Sequence, residues 1–94
     1  MKAILEVRTG TDEKGASKYE MMLFDTEKAK KICGRKNIFN YEFETYYLSE
    51  RRIIFAVNNN TKKLSVPDQK KTREFIGSEY PDIYIKFFGE VQEA

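Results

Sequence analysis

The stretch RRIIFAV (Arg51–Val57) constrains the fold more than any other part of this chain. Past its two arginines every residue is apolar, so no alternation assigns one face to solvent. A strand of that kind is central in its sheet, with cover above and below. Before it, Phe39–Leu48 alternates: Phe39, Tyr41, Phe43, Thr45 and Tyr47 share one face, and Asn40, Glu42, Glu44, Tyr46 and Leu48 the other. A turn near Ser49–Arg51 joins the two strands. The first face opposes Ile53, Phe55 and Val57, so Phe39, Tyr41 and Phe43 read as core, and Tyr46 as the ring most open to solvent.

The remaining elements follow from periodicity and punctuation. Lys2–Thr9 alternates, with Ala3, Leu5 and Val7 on one face, and reads as a half-buried strand. The polar loop Gly10–Ser17 leads directly into a second strand, Lys18–Phe24, as an antiparallel pair. DTEKAKKICG (Asp25–Gly34) reads as a short helix. Asp25 is its N-cap, Ala29, Ile32 and Cys33 form its apolar stripe, and Gly34 closes it in the left-handed conformation. NNNT supplies a turn after Val57, and KKLSV adds a short strand. PDQKKTREFIG reads as a second helix stopped at Gly77, and Asp82–Phe88 as a last strand with Ile83, Ile85 and Phe87 on one face. The order ββαββ(β)αβ predicts a single α+β domain over residues 1–94, with a mainly antiparallel sheet of five to six strands and two short helices. Ninety-four residues, 40% apolar and 14% aromatic, suit one globular domain and no second core.

Composition removes several kinds of chemistry. Histidine is absent, and with it the commonest general base, most zinc sites and the usual nucleophilic triads. The single cysteine, Cys33, forms no internal disulfide, which favours a reducing, cytoplasmic setting. At helical spacing from Ala29 and Ile32 it reads as a small core residue and not as a nucleophile. Glu42 and Glu44 lie two apart on one strand face, but no third ligand accompanies them, so they read as a solvated face. No phosphate loop, dinucleotide glycine pattern or CxxC is present, and no apolar run approaches bilayer length. No enzyme activity, cofactor, metal or membrane contact is expected.

Charge is where the sequence speaks of a partner. Net charge is only +2, but residues 28–36 hold five cations (Lys28, Lys30, Lys31, Arg35, Lys36) and no carboxylate. Residues 51–73 hold Arg51, Arg52, Lys62, Lys63, Lys70, Lys71 and Arg73 against Asp68 alone. Joined in space, the two blocks would steer toward an anionic partner; on opposite sides they would be ordinary solvated faces. Arg51, Arg52, Lys62, Lys63, Lys70, Lys71 and Arg73 are the candidate contacts to an acidic protein surface or to guide-nucleic-acid phosphates. Lys28, Lys30, Lys31, Arg35 and Lys36, with Tyr46 stacking on a base, are the candidate contacts for a nucleic-acid-binding regulator. Glu42 and Glu44 would repel phosphate, and the glycine–aromatic signature of RNA-recognition sheets is missing. An open sheet also leaves edges on which a homodimer could pair.

At ETYYLSERRIIFAV, followed by FFGEVQEA, the chain resembles small proteins carried on bacterial plasmids, integrative elements and phages. The likeness spans roughly the C-terminal half: an ETLY-type strand, a hairpin, a short helix and an FGEVEEA-like tail, in that order. SERR departs from it, having no glycine where a Lys/Gly-rich turn is usual. The resemblance implies a mobile-element setting, in which small proteins often bind and disable host machinery. It carries no activity and no functional residues. The function it points to is a non-enzymatic interaction protein, an inhibitor of a host defence nuclease such as a CRISPR effector, acting on a host protein or ribonucleoprotein.

Overall fold

The computed structural model spans Met1–Ala94 and is an α+β domain of six strands and two helices. In chain order these are β1 (Lys2–Thr11), β2 (Ser17–Asp25), β3 (Lys30–Lys36), β4 (Glu42–Leu48), β5 (Ile54–Asn58), β6 (Lys63–Ser65), α1 (Gln69–Glu79) and α2 (Pro81–Phe88). β1 and β2 pair as an antiparallel hairpin, and β3-β4-β5-β6 form a second, wholly antiparallel sheet in sequence order.

The apolar stretch at β5 sets the layering. Ile54 and Ala56 point to one face, where they join Ile32, Cys33, Tyr46, Leu48 and Ile76 beneath α1 and α2. Phe55 points to the other face and packs with Val7 and Phe24 of the hairpin, so Ile54–Val57 is covered on both sides as its composition requires. Phe55 is 0% exposed, its ring tilted against Phe24 and stacked on Tyr47. The domain is therefore three layers: helix pair, four-stranded sheet, hairpin.

Two elements differ from the sequence reading, so the order is ββββββαα. Asp25 does cap a turn, its Oδ1 accepting from Glu27 N and its carbonyl from Ala29 N, but the turn ends there. From Lys30 the chain extends as β3, because a helix this short is costly to nucleate while the edge of β4 offers an antiparallel ladder from Lys30 to Lys36, interrupted by two register shifts. Gly34 lies inside β3, not at a helix end. A Cβ there would overlap the Glu42 carboxyl, and it is this close approach that glycine serves.

The second difference is Pro81–Phe88, a helix and not a strand. Pro81 stands at its start, Asp82 in its first turn and Lys86 in its last, and Gly89 ends it at φ 92°. Ile83, Tyr84, Phe87 and Phe88 then share the face packed on the sheet. α1 likewise runs past Gly77 to Glu79, capped at its start by Asp68, which accepts from Lys71 N at 2.8 Å. No helix of the protein is long and apolar enough to cross a membrane.

The rings of Phe39–Tyr47 also sort differently. β4 begins at Glu42; Phe39 and Tyr41 belong to the preceding turn and are exposed, Phe39 at 82%. Asn37 Oδ1 orders that turn by accepting from Phe39 N and Tyr41 N. Tyr46 is 2% exposed, in the core under the helices.

Candidate anion-binding cleft

Antiparallel pairing decides which cations meet. Lys30 sits opposite Leu48, and Leu48 opposite Ile54, so the start of β3 adjoins the β4–β5 turn that carries Arg51 and Arg52. That turn is tight. Arg52 N donates to Ser49 O at 2.9 Å, Ile53 N to Ser49 Oγ at 3.0 Å, and Arg52 adopts φ 63°. The left-handed backbone turns the Arg52 side chain toward the end of α2, where its guanidinium donates to the Phe87 carbonyl and lies 5.9 Å from the Phe88 ring. An unpaired helix-end carbonyl is thereby satisfied by a cation, the favourable polarity at that terminus.

Two adjoining clefts open around this contact. One, of about 470 Å³, is lined by Lys30, Lys31, Leu48, Arg52, Lys86 and Phe87. The other, of about 280 Å³, is lined by Lys28, Lys30, Leu48, Ser49, Glu50 and Arg52. They share Lys30, Leu48 and Arg52, so the first basic block meets the start of the second here. Lys86 completes the group from α2. Five cations and one carboxylate, Glu50, make the clefts electropositive. Arg73 extends the surface from α1, its guanidinium 4.7 Å from the centre of the Phe88 ring, and Lys70 lines the neighbouring α1–α2 groove.

The remaining candidates lie elsewhere or are already engaged. Lys36, Lys62 and Lys63 are at the opposite end of the four-stranded sheet, Lys63 facing Asn58 at the end of β5. Lys71 is on α1 and lines none of these clefts. Arg51 turns toward the hairpin, with Nη1 3.9 Å from Met22 Sδ. Lys31, which also lines the first cleft, is partly engaged, pairing with Glu42 at 3.6 Å. Arg35 lies 3.9 Å over the Phe75 ring, pairs with Glu44 at 3.8 Å, and donates from Nε to Tyr46 Oη at 2.7 Å.

Those engagements correct two functional readings. Tyr46 cannot stack on a base: its ring is enclosed, and its hydroxyl donates to Glu44 while accepting from Arg35. Burial, then the bond to Glu44, pushes its pKa up to about 12. Glu42 and Glu44 are not a matched pair on a solvated face. Glu42 accepts from Thr45 Oγ1 at 2.6 Å and pairs with Lys31, whereas Glu44 serves Arg35 and Tyr46. Cys33 is a buried thiol pushed up to about 11, first by burial and then by Glu42, which leaves it protonated and inert at neutral pH. No group of three or more cysteine and carboxylate side chains is placed to hold a metal.

Lys86 is the cleft residue that sequence reading missed. The signal was present, since Pro81, Asp82, Lys86 and Gly89 are helix start and stop residues in the right order. No protein-family model, curated protein or solved structure matches this chain.

Proposed function

We propose that this protein is a non-enzymatic binding domain whose cleft at Lys28, Lys30, Arg52 and Lys86 docks an anionic partner. The observation that carries the reading is the convergence of two sequence-distant basic blocks, with a helix-borne lysine, around one cleft. Cations held along two shallow adjoining clefts suit a row of carboxylates or phosphates better than a small enclosed ligand. In the mobile-element setting implied by the resemblance, the partner is a host protein or ribonucleoprotein, and the protein acts as an inhibitor of a defence nuclease.

Tyr46 takes no part in stacking, so a free single strand finds cations here without the ring assigned to it. That favours a protein or ribonucleoprotein over naked nucleic acid. The test is affinity capture from a bacterial lysate, with and without nuclease, read by mass spectrometry. A partner that survives nuclease and is lost with Lys30→Glu/Lys86→Glu supports the proposal. Capture that vanishes with nuclease transfers the cleft to nucleic acid, and a partner indifferent to the double substitution removes the cleft from the account.

A further inference from the structure

The outer face of the β1–β2 hairpin bears an apolar stripe with no cover. Its inner residues, Leu5, Val7, Met22 and Phe24, pack on the four-stranded sheet. The outer ones are Ile4 at 64% exposed, Leu23 at 59%, Met21 at 65% and, further along, Tyr19. Register makes them contiguous: Ile4 sits directly opposite Leu23, Glu6 opposite Met21, and Arg8 opposite Tyr19. Large apolar side chains grouped this way on a two-stranded sheet are unusual on a solvated surface, and a hairpin alone is only marginally stable.

The charges on the same face discriminate among occupants. Along β1 they read Lys2, Glu6, Arg8 at alternate positions with Ile4 between the first two. Stack two copies of this face about a two-fold axis perpendicular to the strands, and each β1 runs antiparallel over its mate. With the axis at Ile4 and Leu23, Lys2 of each copy lies over Glu6 of the other, and the apolar pairs meet at the centre. Moving the axis to lie between Ile4 and Glu6 sets Lys2 over Arg8. Moving it to Glu6 sets Glu6 over Glu6. The register centred on Ile4 is attractive, the two shifted toward Arg8 are repulsive, and the one shifted toward Lys2 sets Lys2 over Ile4 and loses the ion pair.

We infer that the outer face of the hairpin is a homodimer interface, two copies stacking with Ile4 and Leu23 on the axis and Lys2 paired to Glu6 across it. The contact is made by the sheet face, not by an edge strand, and lies on the far side of the four-stranded sheet from the helices. The patch is small beside a standard interface, so the dimer is weak and concentration-dependent.

Size-exclusion chromatography with light scattering, run from about 1 µM to 1 mM, tests this. The expected result is a mass rising from one chain to two across that range. Leu23→Lys abolishes the rise while the circular dichroism spectrum stays unchanged, since Leu23 is on the solvent side. Glu6→Lys and Lys2→Glu each weaken dimerisation at least about ten-fold, because symmetry doubles every like-charge contact, and the double variant restores it to within about three-fold. A monomer throughout overturns the inference. So does a dimer indifferent to Leu23→Lys, or one whose charge-reversed variants show no mutual rescue. Wild-type sedimentation with vesicles of about 30% anionic lipid, unaccompanied by self-association, assigns the stripe to a lipid surface and overturns it equally.

Discussion

Gln69→Ala should destabilise the domain far more than loss of one polar side chain on a helix normally does. Ile54 in the central strand is 0% exposed and pairs with Leu48 on one side, yet β6 begins to pair only at Ala56, leaving the other edge of the Ile54 backbone without a strand beside it. Gln69 fills that gap as a surrogate strand. Its Oε1 accepts from Ile54 N at 2.8 Å, and its Nε2 donates to Ile54 O at 2.8 Å and to Pro67 O at 3.0 Å. Truncation strands a buried donor and a buried acceptor at once. At about 1–3 kcal/mol for each unsatisfied group, with partial relief from entering water, the loss is about 2–4 kcal/mol. Urea unfolding followed by circular dichroism measures it, and a change below about 0.5 kcal/mol, the range of an ordinary surface substitution, would refute the reasoning.

Gln69→Glu separates the two halves of the clamp. An ionised glutamate still accepts from Ile54 N but offers nothing to the two carbonyls, so its folded pKa is raised above the usual value of about 4.3. The penalty is therefore full above the folded pKa and disappears as pH falls below the unfolded one, where the protonated carboxyl donates again. Because Ile54 follows Arg52 and Ile53 directly, the same clamp fixes the turn that aims Arg52 into the cleft.

Further outcomes follow from the same geometry. Cys33 should resist thiol reagents at pH 8 in the native protein and react promptly in urea, because it is buried and holds its proton up to about 11. Stability should decline as pH rises past about 9: the unfolded chain releases the Cys33 and Tyr46 protons near 9.0 and 10.0, while the native state keeps them to about 11 and about 12. Gly34→Ala should cost about 1–3 kcal/mol by forcing Glu42 away from Thr45 and Lys31, whereas Gly77→Ala, whose Cβ meets Tyr84 at an ordinary 3.5 Å, should stabilise α1 by about 0.5–1 kcal/mol; both are read by thermal unfolding. Phe39→Ser should leave stability within about 0.5 kcal/mol of the parent, since the ring is exposed and the turn is held by Asn37.

How much of this was legible depends on whether a residue's pattern had one solution or two. Ile53–Val57, apolar on both faces, had one, and β5 is buried between layers as read. The hairpin of β1 and β2 also emerged from alternation and its glycine-bounded loop. Asp25–Gly34 had two solutions, because Ile32 and Cys33 serve a helical stripe or a strand equally well, and the deciding partner is β4. Asp82–Phe88 had two as well, since Ile83 and Phe87 satisfy both periods; Pro81 and Gly89 were the better guide. The faces of β4 were unreadable for a physical reason: with helices on one side and the hairpin on the other, Tyr46 and Tyr47 are both covered, and alternation carries no solvent signal. The cleft was half legible. Block charge identified Lys28, Lys30, Lys31 and Arg52, but only topology shows that they meet Lys86 while Lys62 and Lys63 go to the far end. The Arg35–Phe75 contact joins residues from distant elements and has no local signature.

The most direct test of the account compares charge reversal at the two ends of the four-stranded sheet. Binding of the captured partner is measured by calorimetry for Lys30→Glu/Lys86→Glu and for Lys62→Glu/Lys63→Glu, each carrying the same change in net charge. A cleft that docks an anionic partner predicts a loss of at least about a hundred-fold in affinity for the first pair and less than about three-fold for the second. Equal losses for both pairs would mean that net charge alone drives association, and a larger loss at Lys62 and Lys63 would place the binding surface at the wrong end of the molecule for this account.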